Sequence, residues 1–197
     1  SQKNLPVALV AAGLPNLRPA LHRAKPYASR LFAYREVGRL PDAAARSALI
    51  SPAARHKVKF TEEAAAMVIQ ESGGYPYYLQ EYGRVLWDEV ETTPIGLDEV
   101  RRVHDIVQDS LDTSFFGPQF GLATDAEQRY LLAIAGLGDG PYSSAEAAKA
   151  AGYANQSGAS FVREALIAKE LIWSPRRGQI DFTVPRFAQH LRATHTE

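Results

Sequence analysis

Residues 124–194, TDAEQRYLLAIAGLGDGPYSSAEAAKAAGYANQSGASFVREALIAKELIWSPRRGQIDFTVPRFAQHLRAT, decide how the chain is read. Thr124-Asp125-Ala126-Glu127 has the spacing of a capping box, in which a hydroxyl and a carboxylate each satisfy one free helix N–H. It predicts a helix with Tyr130, Leu131, Ile134 and Leu137 on one face, closed by Gly138-Asp139-Gly140-Pro141. Ser144 is expected to cap Ala145–Ala151, and Gly152 turns the chain. Ser157 or Ser160 then leads a helix carrying Phe161, Val162, Ala165, Leu166 and Leu171. Leu171–Ser174 and Gln179–Val184 read as a hairpin around Pro175-Arg176-Arg177-Gly178, and Pro185 begins a last helix through Arg192. Helix, helix-turn-helix, hairpin and helix in that order is the plan of a winged helix-turn-helix.

Upstream, from Pro41 onward, the pattern is helical. Asp42 caps a predicted helix over Ala43–Ile50, and Thr61-Glu62-Glu63 opens Ala64–Ser72 with an N-cap and acids in the first turn. Gly73-Gly74 ends that helix, and Pro76 starts the next, whose Tyr78, Leu79, Tyr82, Val85, Leu86 and Val90 recur at helix-face spacing. Leu97-Asp98 caps a further helix to about Phe115. Phe115–Gly121 (FFGPQFG) reads as a hinge whose aromatics pack between domains.

The first forty residues differ again. Leu5–Ala12 (LPVALVAA) is a continuous apolar run ended by Gly13, the pattern of a buried parallel strand. A short helix over Leu17–Ala24 follows, and Arg30–Val37 alternates with aromatics like a second strand. A strand, a helix and a strand suggest one parallel crossover unit, and a parallel sheet needs more strands than two. The expected fold class is therefore mainly α with a small β component. It comprises a remnant of a parallel-sheet α/β core over residues 1–40, a helical lid bundle over 41–116, and a C-terminal winged helix-turn-helix over 117–197. The chain is expected to begin inside a fold whose first part lies upstream.

Composition limits the function classes. Hydrophobic residues make up 46% of the 197 and charged residues 22%, which is ordinary for a globular protein. The formal net charge is zero, so no global field draws the chain to nucleic acid or membrane. That zero is a cancellation: residues 1–40 hold seven Lys/Arg against Glu36 alone, residues 41–123 hold seven against thirteen acids, and residues 124–197 hold eight of each. With no cysteine, disulfides, thiolate metal sites and cysteine nucleophiles are excluded, which fits a cytoplasmic location. No apolar run approaches the ~18–20 residues of a membrane span, so no membrane partner is expected.

Motif chemistry is equally sparse. There is no G-x-x-x-x-G-K-[ST] phosphate loop and no G-x-S-x-G elbow. His190 and His195 are five apart, which does not stack them on one helix face, and His22, His56 and His104 stand without a partner set. No metal site is expected, and the chain alone is not expected to be an active enzyme.

The run LPVALVAAGLPNL, then YASRLFAYREVGRL, then ESGGYPYYLQEYG and finally the winged helix resembles the C-terminal part of a P-loop ATPase of the AAA+/STAND type, in the prokaryotic and origin-recognition-like group. The resemblance covers essentially the whole chain. It implies an upstream domain with the Walker A and Walker B segments, and ATP/ADP with Mg in the full-length protein but none held by this part. Leu5–Gly13 matches the sensor-1 strand, but its end, Ala11-Ala12-Gly13, offers no polar side chain before Asn16. Arg30 lies where such proteins place an arginine finger, a guanidinium that stabilises transition-state charge on a γ-phosphate; the alternative is a surface salt bridge. Gly74-Tyr75-Pro76 resembles the GxP motif of STAND lids, where the proline approaches bound adenine, the alternative being a plain helix junction. A sensor-2 arginine is not evident; Arg84 stands eight residues after Pro76.

A DNA-reading winged helix lays its second helix in the major groove and its wing along the backbone. Here that predicts Ser160, Arg163 and Lys169 from the helix, with Gln156 and Ser157 before it, and Arg176 and Arg177 as phosphate contacts at the wing tip. Glu164 and Glu170 oppose the basic residues. The partners implied are the upstream P-loop domain and double-stranded DNA, or instead a protein partner or a homo-oligomer. The function expected is coupling of nucleotide state to DNA binding, with protein docking or autoinhibition as the alternative.

Overall fold

The computed structural model describes residues 9–13, 17–25, 27, 30–35 and 38–195. The chain is mainly helical with one small antiparallel sheet. It divides into two compact units: residues 35–122, and residues 123–197 grouped with the part before Arg35.

The N-terminal part departs from expectation. Helix α1 spans Leu17–Ala24, as the sequence predicts. Leu5–Ala8 lie outside the described residues, and Leu9–Ala12 form no strand, with Leu9 70% and Val10 93% exposed. Arg30–Arg35 form a turn and irregular chain instead of the second strand, while Glu36 and Val37 lie outside the described residues. The physical reason is pairing: an apolar run becomes a buried strand only with neighbours on both edges, and no described strand neighbours these segments.

The unit of residues 35–122 is all helical. Helix α2 (Asp42–Arg55) is longer than expected and carries Pro52 inside it, and its N-cap is Pro41, with Asp42 in the first turn. Helix α3 (Glu62–Ser72) is capped by the Thr61 hydroxyl, which accepts from Ala64 N–H at 3.2 Å. Gly73 closes it in the left-handed region at φ +56°. Helix α4 (Pro76–Glu89) buries Tyr78, Leu79, Tyr82, Val85 and Leu86, the expected face, and Val90 is its half-buried C-cap. Helix α5 (Leu97–Leu111) begins from Gly96, whose N–H donates to Glu99 at 2.9 Å, and buries Val100, Val103, Val107 and Leu111.

Past Leu111 the helix widens into a π-turn, Asp112–Phe116, and then helix α6, Gly117–Gly121. The expected hinge is thus helical. Within this unit Phe115 stacks on Tyr77 at 4.7 Å, and Phe116 lies 5.7 Å from Tyr78. Ala45, Ala64 and Ala65 are wholly buried, so helix backbones approach closely around the tyrosines. A parallel bridge, Phe60 to Ile95, ties the two long connections, with Ile95 N–H donating to the Lys59 carbonyl at 2.8 Å.

Residues 123–195 follow the predicted element order with one short strand added, at Tyr142–Ser143, and the last helix begins at Phe187 rather than at Pro185. Helix α7 (Asp125–Ala135) starts from the capping box, Thr124 N–H donating to Glu127 at 2.7 Å. Strand β1 (Tyr142–Ser143) precedes helix α8 (Ser144–Ala150), whose cap is Ser143 rather than Ser144. Helix α9 (Ser160–Ala168) leads into β2 (Ile172–Trp173) and β3 (Gln179–Phe182), and α10 (Phe187–Thr194) ends the fold. The sheet order is β1-β3-β2, all antiparallel, with Tyr142 opposite Ile180 and Ile172 opposite Phe182. Tyr130, Leu131, Ile134, Leu166, Ile172, Ile180, Phe187 and Leu191 make its core.

Candidate functional site

The hairpin tip between β2 and β3 is held by hydrogen bonds and exposes its two arginines. The Ser174 hydroxyl lies 2.9 Å from the Arg176 carbonyl and 2.8 Å from the Gln179 carbonyl and donates to them. Gln179 N–H donates to the Arg176 carbonyl at 3.0 Å, and Gly178, at φ +79°, supplies the left-handed residue this turn requires. The Gly178 carbonyl accepts from Ser144 N–H at 2.8 Å, which ties the tip to the start of α8. Arg176 and Arg177 are exposed on this frame, and neither enters an ion pair with another described residue.

Helix α9 presents a different face from the one its composition suggests. Ala159, Val162 and Leu166 are buried, a spacing of three and four, so Phe161 falls off the core stripe and is 82% exposed. Glu164 and Ala168 share that outer side. Ser160 donates its hydroxyl to the Ser157 carbonyl at 2.8 Å. Arg163 is half-buried, and its charge opposes the upward push that burial gives the Tyr130 hydroxyl. Lys169 is engaged inside the unit: its ammonium donates to Glu127 at 2.6 Å. Burial pushes the Glu127 carboxyl upward, but donors on Lys169 and Thr124 outweigh it and hold the carboxyl below its usual range. Of the expected nucleic-acid contacts, Arg176 and Arg177 stand free, while Lys169 and Ser160 have internal partners. The sequence groups Phe161 with the other apolar residues of the helix; the Ala159/Val162/Leu166 stripe is the signal that sets it apart.

The helix junction of the first unit has its own geometry. Gly74 adopts φ +70° and its carbonyl accepts from Leu40 N–H at 2.8 Å. A Cβ on Gly74 would lie 2.6 Å from the Leu40 carbonyl oxygen, so only glycine fits. Tyr75 is the N-cap of α4, its ring 4.7 Å from that of Tyr78, and Pro76 occupies the first helical turn, where its missing N–H costs nothing. Pro76 borders an apolar cavity of about 500 Å³ between α2 and α4, walled by Leu49, Pro52, Leu79, Gly83 and Trp87. The His56 ring meets Trp87 edge-on at 5.3 Å. Arg84 is bound to Glu81 at 2.6 Å and Asp88 at 3.0 Å, so its guanidinium is committed. Arg30 is exposed in its turn, its N–H donating to the Tyr27 carbonyl at 3.0 Å. Among the described residues no group of His, Asp and Glu could hold a metal ion, and no helix is long and apolar enough to cross a membrane.

A family model described as a domain of unknown function, DUF8462, matches residues 113–191, from the π-turn to the body of α10. No curated protein matches the chain.

Proposed function

We propose that residues 123–195 are a winged helix-turn-helix, and that the chain is the lid and output arm of a nucleotide-driven ATPase of the AAA+/STAND type. The strand order β1-β3-β2 is the observation that carries the reading. The short strand before the helix pair joins the hairpin's second strand, the pairing that a winged helix-turn-helix calls for. The resemblance of the Gly74-Tyr75-Pro76 junction to a nucleotide-sensing lid supports the second half. Glycine there is sterically required, and Pro76 offers a flat apolar face at the cavity edge. These residues fit contact with a base and nothing more. Phosphates and Mg²⁺ would be held by the P-loop of the upstream domain, whose chemistry is phosphoryl transfer, with Arg30 as the candidate arginine finger.

The output in this reading is DNA, engaged through phosphate contacts of Arg176 and Arg177. A gel-shift series tests it: the chain should retard duplex DNA at ~50 mM salt, and Arg176→Ala/Arg177→Ala should weaken that binding. No retardation, or indifference to the double substitution, removes the DNA reading. A second reading, protein docking, would use the outer side of α9, where Phe161 is exposed beside Glu164. For the nucleotide half, the longer protein should lose turnover on Arg30→Ala, and unchanged turnover removes the finger.

A further inference from the structure

Phe161 sits in the first turn of α9 and is 82% exposed, while its neighbour Val162 is 9% exposed. Phe161 is the most exposed large apolar side chain described in residues 123–195. No free cation shares its side of the helix: Glu164 is acidic, Ala168 is small, and Lys169 is bound to Glu127. What this helix can gain in a major groove is therefore apolar contact, and the major groove offers one apolar group, the thymine C5-methyl. The first turn of such a helix is the part that reaches base edges. The charge that holds the protein to the duplex comes from the same unit, at the Arg176-Arg177 tip.

We infer that Phe161 reads thymine methyl groups, so that this module prefers A·T-containing duplex DNA through its major groove. The inference rests on the DNA reading above and names the bases that reading would select. Arg176 and Arg177 bind phosphate without regard to sequence, and Phe161 supplies the discrimination.

The test uses the full chain and two short duplexes of A·T pairs only, identical except that deoxyuridine replaces every thymidine in one. That exchange removes the methyl groups and leaves the Watson–Crick hydrogen bonds intact. The thymine duplex should bind about three- to five-fold more tightly for one covered methyl, more if two are covered. Phe161→Ala, a surface change that leaves the core intact, should bind both duplexes equally. Arg176→Ala/Arg177→Ala should weaken both together and keep their ratio. Equal binding of the two duplexes by the unaltered chain, or a ratio that survives Phe161→Ala, overturns the inference while the DNA reading stands. Failure to bind either duplex overturns both and leaves protein docking.

Discussion

Replacing Lys169 with Met should destabilise residues 123–195 by an amount set by the carboxylate it leaves behind. Glu127 is 6% exposed and one of its oxygens accepts from Lys169 at 2.6 Å and from Thr124 N–H at 2.7 Å. Stripping one partner from a fully buried ion pair costs about 3–5 kcal/mol, because the other charge stays buried. The Lys169 side chain is 34% exposed, so water replaces part of what is lost, and about 1–3 kcal/mol remains. Methionine keeps the apolar stem, and Lys169 is the C-cap just past the end of α9, so the loss reports the charge. For a domain of this size that is a fall in Tm of roughly 5–20 °C, read by circular dichroism or calorimetry.

The pH dependence sharpens the test. The folded Glu127 carboxyl is depressed, so its contribution is present above the unfolded value of about 4.3 and is lost as pH falls through the folded value. Without Lys169 the desolvation that already pushes it upward has less opposition, and the carboxyl protonates at higher pH inside the fold. The gap between Lys169→Met and the unaltered protein should therefore be widest near neutrality and narrow below about pH 5. A loss under about 0.5 kcal/mol, or a gap independent of pH, would refute the reasoning.

Further expectations follow from single contacts. Lys169→Met should leave the salt dependence of DNA binding unchanged, whereas Arg176→Ala/Arg177→Ala should lower the slope of log K against log salt by about two. Gly74→Ala should cost the helical unit about 2 kcal/mol or more in urea unfolding, since the new Cβ meets the Leu40 carbonyl at 2.6 Å and φ is +70°. Tyr82→Phe should cost about 1 kcal/mol, the worth of the buried hydroxyl's 2.8 Å bond to His104 Nδ1. Glu170→Gly should stabilise the second unit by about 1 kcal/mol, because Glu170 closes α9 at φ +60°, a region costly for a side chain. A drop in stability there would mean that Glu170 makes a compensating contact.

Elements whose signals are local were legible in the sequence. The Thr124–Glu127 box, the Thr61 cap, the Gly73-Gly74 stop and the Pro76 start act over three or four residues, and the helices begin and end near them. Strand β1 was not legible. Two residues are too few for an alternation, and Tyr142 becomes a strand residue because its ring packs 5.9 Å from Phe182 and its hydroxyl reaches the Gly138 carbonyl at 2.8 Å. The Phe115–Gly121 stretch, with two glycines and a proline, reads as a break, yet it continues the helix. Pro118 falls in a first turn, where it needs no N–H donor, and the tyrosines of α4 hold the phenyl rings.

The sequence by itself determined most of the helices of residues 41–195, the Thr61 and Thr124 caps and the presence of a basic hairpin tip, because each depends on neighbours along the chain. Only the tertiary structure decided which charged and apolar side chains are free to act. Lys169 and Glu127 lie 42 positions apart and become an ion pair through the packing of α7 on α9. The same packing fixes the rotation of α9, turning Val162 and Leu166 into the core and Phe161 out of it. A helix can turn any of its sides inward, and only the surface it packs against selects one.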